Sequence, residues 1–293
     1  MPAVSDQDRS AIRAEARQFV YGLGGYGLEL SEAVLVTHER IPAPRLNFVE
    51  VRRVPADRRA AFVERALDHY FQRAIRPSFH LPTPSDPTLA DALARYGFRR
   101  PDRPTIVLAA DAATAALTPS LRSVRPAGPE ELAVVASFWT VERERPELLA
   151  ALDRAVHHPA HDERWVPLLG LERGRPVAAG LLHRFGPVAG LHAITTAPSA
   201  RGQGWATSLV QAARAGAWAG PVERYTLATD VGRLVDHLEP VGFGPVETFE
   251  EFTLAPDATS FPITVGPPSG PHWRPPRSLP PAAGPQAPDR QPG

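Results

Sequence analysis

The most informative stretch of this 293-residue sequence runs from Val188 to Ala219. It predicts an apolar strand, a turn that contains Pro198 and two glycines, and then a helix. The first N–H groups of a helix lack intrahelical partners and carry the positive end of the helix dipole. Because glycine lets a ligand approach the backbone closely, such a turn can hold a phosphate without a lysine. The sequence therefore predicts an anion site within Arg201–Ala206.

Composition limits the kinds of protein that can contain this site. The 32 acidic residues balance 32 basic ones, so no net field draws the chain to nucleic acid or to an anionic membrane surface. The chain has no cysteine, which excludes a thiol nucleophile, a disulfide framework and a thiolate metal site. It shows neither a basic leader before an apolar core nor an apolar run of about 18 residues. We therefore expect a cytoplasmic enzyme or binding protein, without a membrane or nucleic-acid partner.

The first part of the sequence predicts a small α/β unit. Its patterns favour helices over residues 6–21 and 56–75, and short strands over residues 33–37 and 46–51. The glycine spacing of Gly22–Gly27 is like that of a nucleotide-binding loop, but a helix precedes it and a strand-like run follows. We interpret this segment as a connector.

An internal repeat relates the two parts of the sequence. Residues 89–111 and 234–257 align through a shared Gly-Phe pair, at Gly97 and at Gly242. Each segment predicts a helix, a glycine turn and a closing strand. We therefore expect two related halves, and the first is the truncated, degenerate copy because it has no counterpart of Arg201–Ala206. Chance similarity of two short helix–turn–strand units is the alternative.

The second part predicts a three-stranded meander over residues 165–172, 176–184 and 188–196, with glycine turns between the strands. The helix after the turn is expected to pack on this sheet. A further strand follows at residues 224–229.

Two histidines precede the meander in a polar stretch. His157 and His161 are spaced i, i+4, which on a helix would suit a metal ion. Pro159 interrupts a helix at this place. We therefore predict no metal site, and we interpret residues 142–164 as loops that line an acceptor pocket.

The succession of elements resembles the GCN5-related N-acetyltransferase (GNAT) superfamily. The meander, a Pro-x-x-Arg-Gly-x-Gly-x-Ala turn, the helix and the later Gly-Phe strand follow in the same order. The acyl-CoA signature of the superfamily, [Gln/Arg]-x-x-Gly-x-[Gly/Ala], is matched by Arg201, Gly204 and Ala206. The resemblance implies a mixed α/β GNAT fold in two halves: a degenerate domain over residues 1–118 and an acyltransferase domain over residues 119–255.

The resemblance also implies where the co-substrate, acetyl-CoA or another acyl-CoA, binds. Backbone N–H groups of the turn would hold its pyrophosphate, and the end of the third meander strand would run beside its pantetheine arm. An N–H near Thr196 would polarise the thioester carbonyl, and Asp230 replaces a frequent asparagine beside the arm. The predicted donor site consists of Ile194, Thr195, Thr196, Arg201, Gly202, Gln203, Gly204, Trp205, Ala206 and Asp230.

A possible general base lies upstream on the same strand. His192 is nine residues before Arg201, where arylalkylamine N-acetyltransferases carry a proton-relay histidine. A half-buried strand histidine with a structural hydrogen bond is the alternative interpretation, and His183 is a weaker second candidate. Strand alternation predicts that His192 and Ile194 share one face and that Ala193 lies on the other.

The sequence departs from the family pattern at the expected acid. Leu238 occupies the position where many members have a tyrosine that protonates the leaving thiolate. We predict transfer of an acetyl or similar short acyl group to the primary amine of a small molecule by direct attack. Two alternatives stay open: a catalytically impaired member that binds CoA or a protein, and a relative that uses aminoacyl-tRNA. The proline-rich tail, residues 256–293, is expected to be disordered, and a monomer and a homodimer are equally compatible with the sequence.

Overall fold

The computed structural model describes residues 5–113, 122–139, 145–157, 163–216, 218–230 and 232–254. The α-helices in these ranges are α1 (Asp6–Gly22), α2 (Arg59–Phe71), α3 (Pro87–Arg95), α4 (Leu132–Trp139), α5 (Arg145–His157), α6 (Trp205–Ala215) and α7 (Gly232–Leu238). The strands are β1 (Tyr26–Glu29), β2 (Ala33–Thr37), β3 (Phe48–Val51), β4 (Ser78–Pro82), β5 (Phe98–Arg99), β6 (Thr105–Asp111), β7 (Ser123–Pro126), β8 (Glu163–Glu172), β9 (Arg175–Phe185), β10 (Val188–Thr196), β11 (Arg224–Thr229) and β12 (Gly244–Leu254).

The described strands form one mixed sheet. Its order is β1-β2-β3-β4-β12-β6-β11-β10-β9-β8-β7, and the short β5 pairs with β12. The pairs β3–β4 and β10–β11 are parallel, and the other pairs are antiparallel. The mixed α/β class predicted from the sequence is confirmed.

The first part of the chain (described over residues 5–113) and the second part (described within residues 122–254) exchange their last strands. β6, from the first part, pairs with β11, while β12, from the second part, pairs with β4. β6 and β12 also pair with each other at the centre of the sheet. Gly97 and Gly242 precede these strands with φ of 80° and 88°, so both aligned segments have the helix, glycine turn and strand that the repeat predicted. Each part therefore completes its sheet with a strand from the other.

Helix α1 crosses the sheet near its centre. It begins at a capping box in which Ser5 Oγ accepts from the Asp8 N–H and the Asp8 carboxylate accepts from the Ser5 N–H, both at 3.1 Å. Its face toward β9 and β10 buries Ile12, Phe19 and Val20. The amphipathic pattern predicted for residues 6–21 thus places this helix on the sheet.

Two ion pairs fix α1 to both parts of the chain. Arg13 Nε donates to Glu247 Oε2 on β12 at 2.9 Å. Arg17 Nη1 lies 2.9 and 2.8 Å from the two carboxylate oxygens of Glu50 on β3. The helix therefore lies over strands from both parts, which puts its buried face in a position to contribute to a site in either part.

Helices cover both faces of the sheet. α4 and α5 share the face of α1, where Leu148 and Leu152 belong to the same core cluster as Phe19. α6 and α7 cover the other face with Leu209 and Leu238. In the first part, α2 and α3 pack on β2, β3 and β4 in a cluster of their own.

The helices and strands predicted from the sequence are present, with their ends shifted by a few residues. Among the described elements that these predictions do not include are β1, β4 and α5. The predicted polar loop is helical over Arg145–His157, because an apolar stripe hidden among charged residues is buried. The members of this stripe are Leu148, Ala151, Leu152 and Ala155. Pro159 and His161 lie outside the described residues.

The described residues, all within 5–254, belong to one compact unit. The predicted boundary between residues 118 and 119 and the predicted disordered tail both lie outside the described residues, so they stay predictions. In the part of the chain that the structure describes, no helix combines the length and apolar character needed to cross a bilayer.

Candidate functional site

A glycine-containing turn precedes α6. Gly202 and Gly204 have φ of 74° and 82°, in the left-handed region that favours glycine. A Cβ atom added at either position would meet no described atom within 4 Å, so both positions face open space. The first helical hydrogen bond runs from the Ser208 N–H to Gly204 O at 3.0 Å, so the preceding N–H groups of the helix lack intrahelical acceptors. The turn therefore fits the anion predicted from its sequence.

The side chains of this turn have structural roles. Arg201 Nε donates to Thr196 O at 3.3 Å and ties the turn to the end of β10. The Trp205 side chain is buried in the core, where Gly170 makes room for it: a Cβ atom at Gly170 would lie 2.9 Å from the indole. The backbone of this turn, rather than the Trp205 ring, is therefore the part available to a ligand.

Strand β10 separates from β11 just before the turn. Their parallel pairing ends at the Gly190–Thr226 pair. A β-bulge follows in β10, where Ala193 has a φ of 51°. Beyond the bulge the described pairing of β10 is with β9, so the edge of Ile194–Thr196 toward β11 is open to an extended ligand.

The bulge overturns the side-chain alternation predicted for β10. A regular strand places His192 and Ile194 on one face and Ala193 on the other. In the structure His192 and Ala193 both line a cavity beneath α1, whereas Ile194 packs with Leu191 in the cluster under α6. One residue in the left-handed conformation shifts the strand by one position, and the side chains after it change faces.

His192 contacts a buried carboxylate from α1. Glu15 Oε1 lies 2.8 Å from His192 Nε2 and 2.8 Å from Nδ1 of His183 on β9. The side chains of Glu15 and His183 are 1% and 0% exposed, and that of His192 is 21% exposed. Phe19 stacks on the His192 ring, with 3.8 Å between centroids. These three residues, Glu15, His183 and His192, are called the Glu15 triad below.

Gly190 permits the close approach within the Glu15 triad. A Cβ atom at this position would lie 2.3 Å from Glu15 Oε2 and 2.4 Å from His192 Nε2, closer than atoms can pack. A strand residue with any side chain would therefore push the carboxylate and the imidazole away from their present places.

The Glu15 carboxylate is ionised at neutral pH. Burial raises its pKa, but the charge and hydrogen bond of His192, with those of His183, outweigh burial and lower the pKa to about 2. Because an ionised carboxylate only accepts hydrogen bonds, His192 donates Nε2–H and His183 donates Nδ1–H. Nδ1 of His192 is then the nitrogen that can exchange a proton with a substrate.

The Glu15 triad consists of side chains that can also bind metal ions. One possible ligand atom of each residue lies within 4.8 Å of those of the other two. The two 2.8 Å distances are those of hydrogen bonds. Ligand atoms around a tetrahedral zinc ion, at 2.0–2.1 Å from the metal, lie roughly 3.3 Å apart. The geometry favours proton sharing, and the predicted absence of a metal stays a prediction.

Sequence reasoning does not single out Glu15, although the residue carries a signal. It lies three residues after Ile12 and four before Phe19, within the buried stripe of an amphipathic helix. A carboxylate in that stripe needs a partner once buried. Its partners lie 168 and 177 residues later in the sequence, and no local pattern reveals them.

The remaining predicted positions lie around β11. Asp230 follows the strand directly and is exposed. Leu238 is fully buried in the cluster under α6, so the position of the usual acid contributes to the core.

Comparison with known protein families bears directly on this geometry. Residues 130–235 match the Acetyltransferase (GNAT) family. This part of the chain is similar in sequence to the GNAT acetyltransferases. The matched range includes His192, the glycine turn and β11, and the match supports acyl transfer from an acyl-CoA in general. Glu15 lies outside the matched residues, and no curated protein sequence matches the chain.

Solved structures share the GNAT fold at low sequence identity. A GCN5-related N-acetyltransferase from Kribbella flavida aligns with a TM-score of 0.58 and 16% identity, over 86% of this chain and 96% of that one. A tandem GNAT protein from the clavulanic acid biosynthesis pathway aligns with a TM-score of 0.51 and 15% identity, over 75% and 77% of the two chains. A GCN5-related N-acetyltransferase from Sphaerobacter thermophilus gives 0.51 and 16%, over 77% and 81%. The shared GNAT fold thus extends beyond residues 130–235, and the degenerate character of the first half stays a prediction.

Proposed function

We propose that this protein is an acyl-CoA-dependent N-acyltransferase that moves an acetyl or similar short acyl group to the primary amine of a small molecule. The observation that carries the proposal is the order of features from β10 into α6. His192 with its buried carboxylate comes first, then the open strand edge at Ile194–Thr196, then the open turn at Gly202 and Gly204. This order follows the donor from its thioester to its pyrophosphate.

The residues present fit an acyl-CoA. Gly202 and Gly204 leave room for phosphate oxygens, and the positive end of α6 favours their charge. The open edge of Ile194–Thr196 can pair with the amides of the pantetheine arm as an added strand does. A backbone N–H near Thr196 would stabilise negative charge on the thioester oxygen during transfer. Asp230, exposed after β11, is the proposed polar contact beside the arm.

The proposed reaction is a direct transfer. The amine nitrogen attacks the thioester carbonyl carbon, so that a C–N bond forms and the C–S bond breaks. His192 accepts the proton that the nitrogen loses, and the Glu15 carboxylate stabilises the imidazolium. CoA leaves as a thiolate and takes its proton from water. A thiol with a pKa of about 8.5 is a tolerable leaving group near neutral pH, so buried Leu238 need not prevent turnover.

The experiment is an assay of CoA release over a panel of amines, with calorimetry of acetyl-CoA binding beside it. Because the chain has no cysteine, a thiol reagent reports CoA without background from the protein. We expect acetyl-CoA binding and amine-dependent CoA release. A protein that does not bind acetyl-CoA would contradict the proposal.

A non-catalytic CoA-binding protein is the second candidate. The observation that favours it is Leu238, fully buried where many family members have an acid. Acetyl-CoA binding without CoA release from any amine would support this second function.

A further inference from the structure

A cavity of about 260 Å³ lies between α1 and the sheet. Its wall includes His192 and Ala193 on β10 and Thr226–Ala228 on β11, the strands that separate where the thioester is proposed to enter. The cavity therefore begins at the proposed base and continues toward β3, β4 and β12. An acceptor whose amine reaches His192 would have the rest of its molecule in this cavity. This inference rests on the proposed function.

Four aromatic side chains form part of the wall of the cavity. Phe19, Phe48, Trp139 and Phe249 line it from four different elements. His80 stacks on Phe48 and on Phe249, with 4.5 Å between centroids in each pair. Rings fixed in this way present their remaining apolar surface to the cavity, and such a surface suits another flat ring.

The charged groups at the wall are already paired within the protein. Glu50 binds Arg17 through both of its oxygens, and Glu247 binds Arg13. Both carboxylates are therefore neutralised at positions where they would otherwise hold a second ammonium group of a substrate.

The remaining charged groups at the wall have partners as well. Glu15 Oε1 is shared by the two histidines of the Glu15 triad. Arg45 lies over the Trp139 ring, 5.0 Å from its centroid. A second charged group on the acceptor would therefore compete with these interactions, and Glu15 Oε2, which has no hydrogen-bond partner among the described residues, is buried against Gly190.

We propose that the acceptor is a primary amine carried by one flat aromatic body without a second charged group. The transfer then yields an N-acyl arylalkylamine and free CoA, by the bond changes given above. The amine supplies the reacting nitrogen at His192, and the ring lies between the aromatic side chains of the cavity.

The test is a set of acceptors that differ by one feature each. 2-Phenylethylamine against hexylamine varies the ring, hexylamine against 1,6-diaminohexane adds a second ammonium, and 2-phenylethylamine against phenylalanine adds a carboxylate. We expect kcat/KM with acetyl-CoA to be about tenfold higher for 2-phenylethylamine than for each of the others. Equal or faster turnover of the diamine or of phenylalanine would overturn the proposed class.

A binding measurement separates failure of this inference from failure of the proposed function. Each amine is titrated calorimetrically into the protein. If no amine releases CoA, saturable binding of 2-phenylethylamine that is tighter than that of hexylamine still supports the aromatic cavity, while the transfer reaction is lost. Equal binding of the two amines, or no binding of either, overturns the inference whatever the acetyl-CoA result.

A matched pair of variants locates the site. Phe249, half-buried on the cavity wall, is replaced in Phe249→Leu, and half-buried Phe71, at the end of α2 and away from the wall, is replaced in Phe71→Leu. Phe249→Leu should raise KM for 2-phenylethylamine about fivefold, with the Kd of acetyl-CoA unchanged. Phe71→Leu should change neither. The same KM in both variants would show that the aromatic wall does not bind the acceptor.

Discussion

At the scale of single residues, proton transfer at the candidate site depends on the hydrogen bond that orients the His192 ring. Glu15 binds its Nε2–H at 2.8 Å and directs proton exchange to Nδ1. His192→Gln should lower kcat about 10²- to 10⁴-fold, the range typical of a general base, because glutamine cannot accept the proton. The pH dependence of kcat should flatten while the Kd of acetyl-CoA stays constant. Unchanged kinetics would leave His192 with a structural role only.

Gly190 offers a second test, because it places no atom in the Glu15 triad. In Gly190→Ala the new methyl group would overlap with Glu15 Oε2 and His192 Nε2. The substitution should reduce kcat at least about tenfold without a comparable loss of acetyl-CoA affinity. Gly180→Ala on β9 is the matched control, since its Cβ would lie 3.6 Å from the nearest atom. Equal effects of the two substitutions would contradict the steric argument.

The glycine turn allows a test of charge alone. Asparagine and aspartate both tolerate positive φ better than most residues, so Gly202→Asn and Gly202→Asp share a similar backbone strain. Aspartate adds a negative charge where the pyrophosphate is proposed to bind. The Kd of acetyl-CoA should rise about tenfold more in the aspartate variant than in the asparagine variant. Calorimetry decides, and equal Kd values would place the pyrophosphate elsewhere.

At the scale of elements, α2 contains a histidine that folding keeps neutral. His69 Nε2 lies 2.9 Å from Thr37 Oγ1, and burial, with the charge of Arg73, lowers its pKa from 6.5 to about 4. Between these values the unfolded chain binds more protons than the folded one. The contribution to stability is therefore complete above pH 6.5 and is lost as the pH falls toward 4.

His69→Gln should accordingly make the loss of stability between pH 6.5 and pH 4 shallower than in the wild type. Urea unfolding at several pH values measures this slope. His237→Gln, at an exposed position on α7, is the matched control. A wild-type slope in the His69 variant would show that other groups cause the acid sensitivity.

How far the sequence predicts these elements depends on where the signal lies. The β10–turn–α6 unit can be predicted from the sequence because Pro198, Gly202 and Gly204 meet local backbone requirements. The bulge at Ala193 cannot be predicted, because no sequence pattern indicates that this alanine has a φ of 51°. The Glu15 triad joins residues far apart in the chain, so its two histidines are predictable candidates and its carboxylate is not.

At the scale of the whole molecule, the exchanged strands couple the two parts of the chain. Phe79 is fully buried on β4, which pairs with β12 of the second part. Phe79→Ala should cost about 3–5 kcal/mol. The tryptophans among the described residues lie at positions 139, 165, 205 and 218, and Trp139 and Trp165 pack on Phe19 of α1, so tryptophan fluorescence reports on the second part and on its contact with α1. We expect the fluorescence and circular dichroism transitions in urea to shift together.

The same experiment has a clear opposite outcome. If the tryptophan transition keeps its wild-type midpoint while the circular dichroism signal separates into two steps, the two parts unfold independently and the shared sheet does not couple them.

The exchange of last strands has a further consequence for the peptide link between the parts. A single cut within residues 114–121 would leave β6 paired with β11 and β12 paired with β4. The two fragments would stay associated, because each contributes a strand to the other's part of the sheet. The two parts thus resemble the subunits of a heterodimer joined in one chain. Two separate fragments, one that ends and one that begins within residues 114–121, should form the folded protein when they are mixed.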